Sequence, residues 1–181
     1  MIYVELKLLK KNKVNKLKLF KDKTDEFFRW VRGTELVELD DIDVSEDPVR
    51  PELTLGWRTS NSRKIYGLKY DDAIEGIICI AFTNDIPHSV KELDMMSELA
   101  HLKDEKNIAI AYTVWSRKRG AGKEIIHKVL EFAKKKNNIE RVITLSPLTP
   151  MATHFHIRNG AKQISINKST QNFEYKLKEI K

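Results

Sequence analysis

Two groups of residues in this sequence have types and spacings that could do chemistry. The first is Ser146 and His156, ten positions apart in "TLSPLTPMATHFHIRNGAK" at 144–162. A serine hydroxyl and an imidazole can share a proton, and an unperturbed imidazole titrates at about 6.5, close enough to neutrality for general acid–base work. Ser146 closes an apolar run, so it falls at the C-terminal end of a strand, where open α/β sheets receive their ligands. The second is the basic turn "SRKRGAGK" at 116–123. A buried-strand pattern runs into it and a helical pattern leaves it. The first N–H groups of a helix have no intrahelical partner, and the helix dipole adds partial positive charge. Gly120 and Gly122 clear room for an approaching phosphate, and Arg117, Lys118, Arg119 and Lys123 add formal charge. Together these make a pyrophosphate-binding geometry. The P-loop and dinucleotide glycine spacings are both absent.

The segments around these groups predict the elements that position them. "RKIYGLKY", "DDAIEG" and "IICIAFT" read as strand, turn and strand. "IPHSVKELDMMSELAHL" reads as a helix with Val90, Leu93, Met96 (or Met95) and Leu99 inward, the methionine pair filling the core. "NIAIAYTVW" reads as a buried strand. "GAGKEIIHKVLEFAKKK" reads as an amphipathic helix burying Ile125, Ile126, Val129, Leu130 and Ala133. "ERVITLS" reads as a strand, "PMATHFHIRNG" as a short helix, and "AKQISIN" and "NFEYKLKEI" as closing strands. Nearer the start, "DKTDEFFRWVR" at 22–32 has helical spacing, while "EDPVRPELTLGW" reads as a loop or broken strand. The first strand comes from residues 2–9 or 35–44. This order predicts an α/β fold built on one mixed sheet.

The totals bound the function. The chain has 181 residues, 41% of them hydrophobic, enough for one domain with a real core. No run approaches the ~20 apolar residues of a membrane span, and the start reads as no secretory signal. The single cysteine, Cys79, lies in an apolar run and reads as a buried structural thiol. These features predict a cytoplasmic, non-membrane protein. The net charge of +7 suits an anionic ligand, and the lysines of "KLLKKNKVNKLKLFKDK" read as a solvated face rather than a nucleic-acid grip. No zinc-ligand spacing or nucleic-acid motif is present, so the sequence predicts no metal.

Arg117-Lys118-Arg119-Gly120-Ala121-Gly122 resembles the "[QR]xxGx[GA]" motif of the GNAT superfamily of N-acetyltransferases. The resemblance implies that this turn, with Lys123, holds the pyrophosphate of coenzyme A and that the backbone near Val114 pairs with the pantetheine arm. Further stretches resemble one branch, the catalytic domain of malonyl-CoA decarboxylase. "IICIAFTNDIPHSVKELD", "TLSP", "FHIRNGA" and "NFEYKL" match that family in order, over roughly residues 75–177. The resemblance implies a catalytic pair at Ser146 and His156. It departs after "LSP", where this chain has Leu148, Thr149, Pro150 and Met151 in place of "IPGF". The segment between "NGA" and the last strand is shorter here, and the family's large helical domain has no counterpart in these residues.

The expectation is therefore one GNAT-like domain over residues 1–181, with a helix and loop region at 1–60 and an acyl-CoA-binding core at 63–178. Its substrate is a coenzyme A or acyl-carrier thioester. The favoured reaction is decarboxylation of a malonyl-type acyl group by Ser146 and His156. The alternative is transfer of an acetyl group from acetyl-CoA to an amine acceptor, with His156 as acid or base. A third reading is a non-catalytic module that binds nucleic acid or protein through the N-terminal lysines. His154 and Arg158 read as exposed, and Asn159 before Gly160 as a helix end. Asn172 enters only through the resemblance, as a residue able to reach the cleft. A Ser–His hydrolase is disfavoured, because no "GxSxG" elbow and no acid partner is present.

Overall fold

Residues 33–177 are described by the computed structural model. The expected helix at 22–32, residues 2–9 and the lysine-rich start lie outside them. The chain divides into two units, Met1–Thr34 and Glu35–Lys181, and the second carries the fold. It opens with β1 (Glu35–Leu39), a 3-10 turn (Val44–Glu46) and α1 (Leu55–Arg58). Then come β2 (Arg63–Tyr70), β3 (Ala73–Thr83), α2 (Val90–Lys103), β4 (Ile108–Ser116) and α3 (Ala121–Lys135). It closes with β5 (Arg141–Thr144), β6 (Ser146–Pro147), α4 (Pro150–Arg158), β7 (Ala161–Ile166) and β8 (Thr170–Tyr175). The sheet runs β1-β2-β3-β4-β5-β8-β6, with β7 on β8, and only the β4–β5 pair is parallel.

Alternation along the strands sorts the core into two layers. On one face Tyr66, Leu68, Ile78, Ile80, Ala109 and Ala111 meet Ile125, Ile126, Val129 and Ala133 of α3. On the other, Ile65, Ile77, Cys79, Ala81, Ile110 and Tyr112 meet Leu93 of α2. Each fully buried isoleucine contributes about 1.5–3 kcal/mol. The α3 stripe is the one its sequence predicts. The α2 stripe is so only in part: Leu93 is buried as predicted and Val90 and Met96 are half-buried. Leu93, Ser97 and Ala100 are buried, while Met95 and Leu99 are about half exposed. The inward face follows small residues because α2 lies on β3 and the Arg63 guanidinium reaches in to Ser97 Oγ at 2.7 Å.

The predicted hairpin forms, but its turn is only Asp71-Asp72, with Asp71 in the left-handed region at φ +49°. Glu75 is extra in the β2–β3 register, which pairs Leu68 with Gly76 and Lys69 with Ile74. Its carbonyl accepts from the N–H groups of Arg117 (2.8 Å) and Lys118 (3.3 Å), anchoring the basic turn. The predicted strand "ERVITLS" is broken at Leu145 into β5 and β6, and β8 begins at Thr170, before the predicted Asn172.

Two irregularities open the sheet. In β4 the register passes from Ala111↔Ile80 to Thr113↔Cys79, so Tyr112 is an inserted bulge residue. β4 and β5 pair only from Ile108↔Arg141 to Ala111↔Thr144, and Leu145 N–H to Ala111 O at 2.9 Å extends that contact. Beyond it β4 stays with β3, while β6 pairs with β8. The strands part there.

The segment expected as a loop or broken strand, 46–57, runs from the last residue of the 3-10 turn into α1; Asp43 caps the turn and Thr54 the helix. Buried charge orders it. Arg58 meets Asp47 at 2.9 Å, and both side chains are fully buried. Thr113 Oγ1 of β4 donates to Asp47 (2.8 Å), and Arg58 also donates to Leu53 O (2.9 Å) and Arg50 O (2.6 Å).

Candidate active site

The parted strands and α4 bring Ser146 and His156 together. Thr149 caps α4 by accepting from Ala152 N–H at 3.3 Å, and Pro150 at the first turn suits a position whose N–H has no helical partner. Asn159 ends the helix and Gly160 leaves it at φ +88°. His156 lies on the inner side of α4, 5% exposed, and His154 and Arg158 point to solvent. Its Nε2 is 2.7 Å from Ser146 Oγ, which is 3.0 Å from Thr144 Oγ1. Its Nδ1 is 2.9 Å from the Tyr175 hydroxyl. The ring stacks on Phe173 and takes Phe155 edge-on.

This is a four-member chain, Thr144–Ser146–His156–Tyr175, with two self-consistent directions of donation. Either Ser146 donates to Nε2 and Nδ1–H donates to Tyr175, or every bond reverses. The imidazole stays neutral in both. Burial pushes its pKa down from 6.5 to about 4 and pushes the Tyr175 hydroxyl well up. The sequence-based expectation of an imidazole titrating near neutrality is therefore corrected: desolvation removes the cationic form. Nδ1 faces the Tyr175 hydroxyl, and the described residues place no carboxylate there to form a Ser–His–acid triad.

The depressed value carries a stability consequence. The unfolded imidazole binds its proton near 6.5 and the folded one near 4. Between them the unfolded chain holds the extra proton. The neutral-imidazole contribution is complete above about pH 6.5 and is lost as pH falls toward 4. The loss totals roughly 3 kcal/mol, at about 1.4 kcal/mol per tenfold difference in proton affinity. Urea midpoints at pH 7 and pH 4.5 should differ accordingly, and His156→Phe should flatten that part of the profile. An equal slope in the variant would assign it to other groups.

Asn172 does not reach the cleft. It is fully buried, its amide donates to Pro87 O (3.0 Å) and Thr144 O (2.9 Å), and its carbonyl accepts from Ser165 and Asn167. It clamps β8 to the end of β5. Thr144 and Tyr175 complete the chain and were not singled out in the sequence. Period-two spacing was their signal: Thr144 shares a strand face with Ser146, and Tyr175 with Phe173.

A cleft of about 260 Å³ runs beside His156. It is walled by β4 from Ala111 to Ser116, by Gly122 and Ile126 of α3, and by Phe155 of α4. Val114 lines it, partly buried, beyond the point where β4 has lost β5. Of the basic-turn residues Ser116 and Gly122 line it, and none of the four cations does. Gly120 caps α3 at φ +90° with no side-chain cap. The expected open row of amides at 120–123 is only partly open. Ala121 N–H donates to Lys118 O (3.2 Å) and Lys123 N–H to Gly120 O (3.1 Å), while those of Arg119, Gly120 and Gly122 have no backbone partner among the described residues. The expected four free cations are likewise reduced. Arg117 pairs with Glu46 (2.7 Å) and Lys118 with Glu75 (3.0 Å). Arg119 and Lys123 are exposed and make no ion pair among the described residues.

This arrangement of strands and helices superposes on solved structures. The chain superposes on GphF, a GNAT-like decarboxylase in complex with isobutyryl-CoA, with a TM-score of 0.64 and 14% identity over 80% of this chain and 100% of that one. The chain has the GNAT fold. A second GNAT-fold match is malonyl-CoA decarboxylase from Agrobacterium vitis, with a TM-score of 0.53 and 19% identity over 67% of this chain. This chain spans only 35% of that protein's length. A third is the N-acetyltransferase PseH of Campylobacter jejuni in complex with acetyl coenzyme A, with a TM-score of 0.51 and 10% identity over 81% of this chain and 100% of that one. No known family profile matches the sequence, and no curated protein is significantly similar to it. No helix among the described residues is long and apolar enough to cross a membrane.

Proposed function

We propose that this GNAT-fold chain acts on an acyl-CoA or acyl-pantetheine thioester and removes carbon dioxide from a malonyl-type acyl group. The observation that carries the reading is the 2.7 Å contact between Ser146 and His156, beside an apolar cleft that also meets the start of α3. The free N–H groups of Gly120 and Gly122, with Arg119 and Lys123, would hold the diphosphate. The decarboxylase neighbours named above support the assignment by fold.

Loss of carbon dioxide breaks the bond between the α-carbon and the carboxylate. Its electron pair moves into the thioester as an enolate, and the α-carbon then takes up one proton. Ile126, Phe155 and Ala111 strip water from the carboxylate, which favours the more dispersed charge of the transition state. Ser146 or His156 Nε2–H donates to the developing enolate oxygen. An anionic carboxylate near His156 opposes the desolvation that depresses its pKa, so bound substrate recruits the proton the reaction consumes.

Incubation with malonyl-CoA and no amine is expected to yield acetyl-CoA and carbon dioxide. Thiol release from acetyl-CoA only when an amine is added would favour acyl transfer instead. That second reading draws on the neutral imidazole, whose Nε2 could accept a hydrogen bond from an attacking amine in place of the one from Ser146. If coenzyme A gives no thermal shift while nucleic acid gives a salt-sensitive one, both enzymatic readings fail. Gly120→Asp is expected to weaken coenzyme A binding at least tenfold more than Gly120→Ala. Both variants carry the strain of the positive φ, and only aspartate sets a carboxylate against the diphosphate. Equal affinities for the two, by calorimetry, would remove the diphosphate from this corner.

A further inference from the structure

One aromatic ring joins the two ends of the cleft. Phe155 stands on α4 immediately before His156, lines the cleft and is half-buried. Its ring meets the imidazole edge-on, with centroids 5.1 Å apart and planes at 79°. The tip of the ring reaches the first turn of α3. A Cβ placed on Gly122 would lie 3.6 Å from Phe155 Cε2 and 3.8 Å from Cζ, both ordinary contact distances, and 3.8 Å from Ser116 Oγ. Gly122 belongs to the turn proposed to hold the diphosphate, and His156 to the reacting pair. The ring touches both.

This contact closes one side of the cleft. A chain that passes between two groups needs roughly 7–8 Å between their atoms, two contacts of about 3.5–4 Å each. The space between the ring and Gly122 has room for one methyl group. An arm that starts at the corner and ends at His156 therefore has to run on the other side of the ring, along β4 from Ser116 to Ala111, where every residue lines the cleft. We infer that Phe155 is a positioning residue: it holds the pantetheine arm against β4 and so sets where the thioester stops beside His156. The inference rests on the thioester reading above and adds to it the side chain that fixes the reach of the arm. Phe155 also packs against the α3 layer of the core, so its bulk and its reach have to be separated by variant.

Two ligands isolate the arm: coenzyme A, and 3′-phospho-ADP, which is the same nucleotide without it. By calorimetry the wild-type protein is expected to bind coenzyme A about tenfold or more tightly. Phe155→Ala should bring the two affinities within about threefold by weakening coenzyme A alone. Phe155→Leu restores apolar bulk to the core but is too short to reach Gly122. It should recover the melting temperature but not kcat, which is expected to stay about 10²-fold down, the cost of a displacement of about 1 Å. Equal loss of affinity for both ligands in Phe155→Ala, or a Phe155→Leu protein that turns over malonyl-CoA at the wild-type rate, overturns the inference. The reaction and the residue fail separately. A wild-type affinity ratio that Phe155→Ala abolishes, with no turnover of malonyl-CoA, would remove the decarboxylase reading and leave the path of the arm standing. Turnover by a wild-type protein whose ratio survives in Phe155→Ala would do the reverse. A wild-type protein that binds neither ligand removes both.

Discussion

Asp47→Ala is expected to cost about 3–5 kcal/mol, the range for breaking a buried ion pair, and to lower the melting temperature by roughly 10 °C. Both side chains of the Asp47–Arg58 pair are fully buried. Removing the carboxylate leaves the Arg58 guanidinium without a counter-charge and the Thr113 hydroxyl without its acceptor. Asp47→Asn keeps acceptor capacity for Thr113 and should lie between the two. Pairing Asp47→Leu with Arg58→Met should recover only part of the loss, because Arg58 also donates to Leu53 O and Arg50 O. Urea denaturation of the four proteins measures this. A loss below about 1 kcal/mol for Asp47→Ala would mean that water reaches the pair. Since Asp47 ties the Val44–Arg58 segment to β4 through Thr113, the same variant should also disturb the cleft wall.

His156→Ala is expected to lower kcat for the thioester reaction by about 10²–10⁴-fold, the usual worth of a positioned proton-transfer group. Ser146→Ala should cost less, because Nε2 can then address the enolate oxygen or a water directly. The double variant should be no slower than His156→Ala alone, since groups that act as a unit lose their worth together. Tyr175→Phe removes the Nδ1 partner and should change the pH profile more than the maximal rate. In the free protein the imidazole protonates only near pH 4, and bound substrate must bring in the proton that is consumed, so kcat/KM should rise as pH falls from neutrality toward 5. A His156→Ala protein that stays folded and turns over at the wild-type rate would leave the catalytic assignment without support.

Much of this could be read in the residues themselves. The β2–β3 hairpin, β4, α3 and α4 follow from apolar spacing and from their caps, because each buries its own stripe against an adjacent layer. The pairing of Ser146 with His156 was legible only through the family resemblance, from "TLSP" at a strand end and "FHIRNGA" on the helix that follows. What could not be read depends on partners far away in the chain. Arg50, Arg58 and Asp47 sit in a segment with two prolines and no periodicity, and polar residues there suggest solvent. Their burial depends on distant partners, the Cys79 sulfur, the Tyr112 and Leu145 carbonyls and the Thr113 hydroxyl. The turned face of α2 has the same origin, because Ser97 is buried only through a guanidinium on β2. The break in "ERVITLS" also lacks a local cause, since the change of neighbour from β4 to β8 is a property of the sheet. At the basic turn, the sequence shows four cations but not the two glutamates that engage Arg117 and Lys118.

The bulge at Tyr112 inverts the parity of β4. Before it, Ile108, Ile110 and Tyr112 face the α2 layer, and Ala109 and Ala111 face the α3 layer. After it, Trp115 is on the α2 side and Val114 on the α3 side, so odd and even positions have exchanged roles. The strand is two half-strands written in different frames and joined at the place where the sheet opens. Excising one residue at the join would restore a single frame and swing Trp115 onto the helix that now packs beside valine. The inserted residue is therefore what lets one continuous strand serve the core with its first half and a wall of the cleft with its second.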